Sequence, residues 1–126
     1  MLVAIPAALA ALVHVYIFVI ESLRFTHPST LKAFGIRSVE EAEVMKPWAF
    51  NQGFYNLFLA IITAVGLILH AGNHDEAGVA LVASATASML AAALILGGSD
   101  RSKLRGAVVQ GLFPLLTVIA LLATGW

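Results

Sequence analysis

Few side chains in this sequence could do chemistry, and those that could recur at helical spacing. His14 and Glu21 are seven residues apart, about two turns of an α-helix, and fall on nearly one face. The run Asn51-Gln52-Gly53-Phe54-Tyr55-Asn56 places Asn51 one turn from Tyr55 and Gln52 one turn from Asn56. Gln110 follows later, four residues ahead of Pro114, with Thr117 beyond. An imidazole can act as general acid or base near neutral pH. Glu21 can orient it or carry protons, and amide or phenol groups can stabilise a developing oxyanion. Such a set suits isomerisation, proton transfer or hydrolysis. On this reading His14, Glu21 and Tyr55 are the catalytic candidates, and Asn51, Gln52, Asn56 and Gln110 are the ligand-binding ones.

Other chemistries have less behind them. There is no cysteine, which removes disulfides, thiolate metal sites, iron–sulfur clusters and a cysteine nucleophile together. Neither a glycine-rich phosphate loop nor a serine in a nucleophile's setting is visible. His70 and His74 have the i,i+4 spacing of metal ligands, with Asp75 adjacent. Gly72 and Asn73 interrupt the helix between them, so the expectation is an exposed loop and no metal site. Haem ligation through His14 is open chemically, but no motif supports it, and the cofactor stays unknown. His27 before Pro28 reads as an interfacial turn residue.

Composition decides where these residues must be positioned. Of 126 residues, 60% are hydrophobic and only 11% charged, against about a quarter charged in soluble domains. The formal net charge is zero, so nothing resembles the basic footprint of a nucleic-acid binder. Crossing about 30 Å of hydrocarbon takes roughly 20 apolar residues, and residues 2–20, 48–69, 79–96 and 107–126 are of about that length without a charge. In lipid every backbone amide needs an internal partner, so these stretches are helices. The first cation, Arg24, follows the first stretch, which argues for a membrane helix rather than a cleaved signal.

The expected fold is therefore an all-α integral membrane protein. One domain over residues 1–126 forms a four-transmembrane-helix bundle, with an interfacial helical segment over about 28–46. In that segment Pro28 to Phe34 forms a short helix ending at Gly35. Ser38 and Glu41 read as a capping box, and Pro47 kinks or restarts the helix that follows. All seven cations lie in two connections: Arg24, Lys32, Arg37 and Lys46 in the first, Arg101, Lys103 and Arg105 in the third. By the positive-inside rule both connections are cytoplasmic and both termini outside. So complete an asymmetry argues against a dual-topology transporter of the small multidrug-resistance type.

Depth then gathers the polar residues. Span one runs inward, which puts Glu21 at the cytoplasmic surface and His14 about 10 Å deeper. Counting from Trp48 puts Tyr55 level with His14, and Gln110 about one turn inside span four. His14 is thus expected to hydrogen-bond Tyr55, Asn51 or Asn56, with Glu21 and Gln110 at the mouth of one cavity. A blander alternative pairs Glu21 with Arg24 and makes the amides interhelical glue. In the third span two small-residue rows, Ala80-Ser84-Ser88 and Ala83-Ala87-Ala91, are expected to pack inside the bundle.

Three functional classes remain. The first is an enzyme or binding pocket for a small lipophilic molecule. The second is a scaffold whose polar cluster is glue. A proton-coupled transporter ranks last, because four helices enclose little alternating-access volume, the outer half lacks polar groups and no inverted repeat is visible. The bilayer and a small lipophilic ligand are the expected partners, nucleic acid is not, and a homo-oligomer stays open. The residues His14 and Glu21, the run Asn51 to Asn56, and Gln110-Gly111-Leu112-Phe113-Pro114 resemble the DUF1304 family of small four-helix bacterial membrane proteins. The connection from Phe25-Thr26 to Lys32-Ala33-Phe34-Gly35 is similar too. That resemblance implies the bundle, the polar cluster and a bacterial inner membrane; the family's name denotes unknown function, so it implies no reaction.

The orientation is open to a direct test. Cysteines placed at Ser29 and Ser102 should resist an impermeant thiol reagent in intact cells, while one at Asn73 should label. Labelling at Ser29 in intact cells would reverse the assignment.

Overall fold

A computed structural model describes residues 1–126. It is all-helical: α1 (Ala4–Phe18) runs into a π-helical turn (Val19–Leu23), followed by α2 (Pro28–Phe34), α3 (Val39–Ala71) and α4 (Asp75–Ser99). A 3-10 turn (Arg101–Lys103) then leads into α5 (Leu104–Thr124). Four of these helices, α1 with its π turn, α3, α4 and α5, are long and apolar enough to cross a membrane, which makes this a multi-pass membrane bundle. Neighbouring helices pack in the ring order α1, α3, α4, α5, with α1 opposite α4 and α3 opposite α5.

The interior rows explain the packing. Ala7, Ala10, His14 and Ile17 are buried on α1, and Gly53, Asn56, Ala60, Thr63 and Gly66 on α3. Steps of three and four residues are the repeat of helices crossing at about 20°. Most interior residues are small, because helices in lipid associate through close packing rather than through water exclusion. A Cβ on Gly66 would lie 2.8 Å from Val82 Cγ2, and one on Gly111 would lie 2.8 Å from Ala93 Cβ. Thr63, Thr86 and Thr117 are buried among these residues, and each hydroxyl donates to a carbonyl four residues back in its own helix. That internal bond lets a hydroxyl sit in an apolar interior without a partner on another helix.

The long first connection folds as its residues suggest, with one difference. Pro28 stands at the first position of α2, His27 Nδ1 accepts from the Ser29 N–H, and α2 ends at Gly35 in the left-handed region at φ 68. Ser38 Oγ accepts from the Glu41 N–H at 3.1 Å. Glu41 reaches back to the Arg37 N–H at 3.0 Å, one residue before the usual capping-box partner. Of the two outcomes expected at Pro47, the helix does not restart there: α3 continues through it as one element of 33 residues. Proline removes only the bond to the Glu43 carbonyl, and on an exposed stretch water can take that carbonyl instead. At 1.5 Å per residue α3 is about 50 Å long, so its first turns extend beyond about 30 Å of hydrocarbon.

The small-residue rows expected inside are largely outside. Ala80, Ser84, Ser88, Ala87 and Ala91 are exposed, and only Ala83 is half-buried. The interior face of α4 is instead Gly78, Val82, Ala85, Met89, Ala93 and Gly97. Small residues surround this helix on every side, so their spacing alone could not choose a face. The contacts at Gly78 and Gly97 do choose it: a Cβ on Gly78 would lie 2.7 Å from the His70 nitrogen, and one on Gly97 3.2 Å from Ala107 Cβ.

The two faces should respond differently to added bulk. Ala85→Leu and Gly111→Leu overpack the interior and should each cost about 1–3 kcal/mol, lowering the melting temperature followed by circular dichroism in detergent. Ser84→Leu and Ala87→Leu should leave it within about 0.5 kcal/mol of the parent. Equal loss on both faces would contradict this packing.

Candidate functional site

The site begins where the end of α1 meets α3. Within the π turn the Arg24 N–H donates to the Val19 carbonyl five residues back, at 3.0 Å. A π turn holds one residue more than the α-helix it interrupts, and here it presents Glu21 and Ser22 together to α3. Ser22 Oγ donates to the Phe50 carbonyl at 2.9 Å. Gly53 permits the approach: a Cβ there would collide with Ser22 Oγ and lie 3.0 Å from the Ser22 nitrogen and 3.1 Å from Glu21 Cβ. Phe18 and Phe54 meet edge to face beside it, with centroids 5.0 Å apart.

That contact fixes the carboxylate. Asn56 Nδ2 donates to Glu21 Oε2 at 2.9 Å and to the Gln52 carbonyl at 3.1 Å, so both of its amide hydrogens are in use. Glu21 also opens onto a cavity of about 810 Å³, which it lines together with Asn51, Gln52 and Lys103. Phe25, Phe34, Ile36, Met45 and Trp48 supply the apolar wall. Lys103 Nζ donates to the Phe34 carbonyl, tying the end of α2 to the third connection across the cavity. Both cation-bearing connections therefore meet at this end of the bundle.

Four of the seven expected site residues come together here. Glu21 and Asn56 are bonded, and Asn51 and Gln52 line the same cavity. The other three do not join them. Tyr55 is 61% exposed, because the buried row of α3 passes through Gly53 and Asn56; of the two residues between, Phe54 packs on Phe18 and Tyr55 faces outward. His14 is 1% exposed, and its Nδ1 meets the Ala10 carbonyl at 2.9 Å. A carbonyl only accepts, so Nδ1 carries the hydrogen and Nε2 is left as the acceptor in the neutral ring. The expected bond from His14 to Tyr55, Asn51 or Asn56 is not formed. Gln110 is half-buried on α5 and outside the cavity lining.

The depths differ from those expected for a physical reason: Trp48 does not start the second spanning helix, because α3 already begins at Val39. With Ser22 against Phe50 and Gly53, and Glu21 against Asn56, the polar run of α3 is level with the π turn rather than with His14. Glu21 does not pair with Arg24 as the blander alternative required; its partner is Asn56. At the opposite end His70 Nδ1 lies 3.0 Å from Asp75 Oδ1 without hydrogen-bonding alignment, and its ring stacks on Trp126 at 3.8 Å. His74 falls beyond the end of α3, in the turn before α4.

Sequence reasoning missed Ser22, Lys103 and the aromatic wall. Ser22 stands beside Glu21 with no motif around it that marks a contact. Lys103 counted only as a cation that sets orientation, and nothing in its neighbourhood announces a contact with a carbonyl 69 positions away.

A multi-pass four-helix bundle with a bonded carboxylate and an amide-lined cavity at its cation-bearing end defines the class of this protein. The chain belongs to the family described as protein of unknown function, DUF1304, whose model matches residues 8–122 and so includes every residue of the site. No curated protein and no solved structure matches it.

Substitutions should separate bonded from unbonded members. Asn56→Leu strips a partly buried carboxylate of its partner and should cost about 1–3 kcal/mol in detergent melts. Tyr55→Phe removes a hydroxyl that faces away from the site and should change stability by no more than about 0.5 kcal/mol. A larger loss for Tyr55→Phe than for Asn56→Leu would reverse the assignment of faces.

Proposed function

We propose that this membrane protein binds a small lipophilic molecule in the cavity beside Glu21 and converts it by a proton-transfer step, with the cavity at the cytoplasmic surface. The observation that carries this reading is the fixed position of Glu21. Asn56 orients one carboxylate oxygen, and the side chain still lines an open cleft of about 810 Å³. An ionisable group in a membrane span is a functional hypothesis by default. Glu21 would take or give the proton, while Asn51 and Gln52 would hold the polar part of the ligand. The aromatic and aliphatic wall would receive the apolar part. His14 stands deeper in the bundle as a buried, self-bonded ring, and Tyr55 has no part in the cavity.

The interior of the terminal end favours a pocket over a transport path. There Val3, Ala7 and Val82 form an apolar cluster, with Leu67, Ala120, Leu121 and Trp126 packed against it. A polar route from the cavity would have to cross that cluster. The scaffold reading rests on fewer contacts, since only Asn56 to Glu21 and Ser22 to Phe50 join two spans through side-chain hydrogen bonds.

The test is retention of a ligand. Native mass spectrometry of the protein released from detergent should show one discrete small-amphiphile adduct. Ala49→Phe, which puts a ring into the cavity lining, should remove it. An adduct pattern identical in both proteins would contradict the reading.

A further inference from the structure

Glu21 and Lys103 are the two ionisable side chains that line the cavity, and they form no ion pair with each other. Glu21 enters from the bundle side, where Asn56 holds it. Lys103 enters from the connection side, where the Phe34 carbonyl takes one of its hydrogens. Opposite charges therefore line one cavity without pairing to each other. The carboxylate needs a cationic donor, and the ammonium has two further hydrogens to give.

We propose that the cavity recognises a zwitterionic head group, a primary ammonium carried next to a phosphate, on a lipid whose chains leave past Trp48. This inference rests on the cavity being a binding site, as proposed above. The ammonium goes to Glu21. The side-chain amide oxygens of Asn51 and Gln52 are available to the remaining N–H groups, since neither amide takes part in another side-chain hydrogen bond. The phosphate goes to Lys103. A primary ammonium suits an acceptor-rich corner better than a trimethylated one, which has no hydrogen to donate. Trp48 is 80% exposed at the cavity rim, and an indole is at home where lipid head groups meet acyl chains. Met45 and Ile36 line the same cavity and give the first carbons of the chains an apolar surface. A purely anionic head would satisfy Lys103 and be repelled by Glu21; a neutral one would offer neither group an opposite charge beyond the neutral partners each already has.

The test uses Trp48 fluorescence of the purified protein in detergent, with Trp126→Phe removing the second indole. The probes are dihexanoyl phosphatidylethanolamine, dihexanoyl phosphatidylglycerol and free phosphoethanolamine. The zwitterionic lipid should bind about tenfold tighter than the anionic one, the difference expected of one charge-assisted bond set against repulsion. Glu21→Gln, which keeps an acceptor for Asn56, should abolish that preference. Lys103→Gln should weaken both lipids by a similar factor. Free phosphoethanolamine should bind at least tenfold more weakly than the lipid, because it lacks apolar chains. Equal affinity for it would keep the head-group chemistry and overturn the lipid as its source. Saturable binding without head-group preference, or a preference that survives Glu21→Gln, would overturn this inference alone. No saturable response to any probe would overturn the binding site along with it.

Discussion

The end of α1 can reach α3 only because residue 53 has no side chain. A Cβ at that position would collide with Ser22 Oγ and crowd the backbone nitrogen of Ser22. With glycine there, Ser22 reaches the Phe50 carbonyl and Glu21 reaches Asn56, so one point of contact brings two cross-helix hydrogen bonds together. The π turn supplies the other half of the fit by inserting a residue just before the helix ends. Lipid gives the arrangement its importance: unpaired polar groups are costly there, so a carboxylate near the membrane surface must be held by protein, water or ligand.

The same constraint organises the remainder of the bundle. Polar side chains in the middle of the interior bond to their own helices: the three threonines to carbonyls four residues back, and His14 to Ala10. None of them reaches across to a neighbour, so the helices there are joined by close packing of glycine, alanine and threonine. At the cation-bearing end, in contrast, side chains bond between spans beside a cavity of about 810 Å³. Packing and polarity are divided along the bundle axis, which is what a protein needs if one end works and the rest holds that end in place.

Much of the architecture was legible from composition. Four charge-free stretches of membrane-spanning length leave little freedom once every backbone amide must be satisfied internally. Pro28, Gly35 and the capping box from Ser38 to Glu41 mark the first connection locally, whereas His27 read only as a turn residue and caps α2. Four features were not legible. A span's hydrophobic boundary does not give the register between helices, and register decided that Asn56 meets Glu21 while His14 lies beyond the polar run. In a helix as rich in small residues as α4, spacing cannot choose the interior face, because alanine and serine occur on all sides. Lys103 became part of the site through a fold-level approach that no local pattern records, and the π turn has no sequence mark beyond the short segment it occupies.

The bond from Asn56 to the Glu21 carboxylate fixes the register of α1 on α3, and one distance measurement addresses it directly. Protein carrying carbon-13 at the Glu21 carboxyl and nitrogen-15 at the Asn56 side chain, reconstituted in lipid bilayers, can be measured by solid-state dipolar recoupling. Strong dephasing, consistent with a direct N–H···O contact of about 2.9 Å between heavy atoms, is the predicted result. Absence of measurable coupling between the two labels in folded protein would contradict the register of α1 on α3 and the site built upon it.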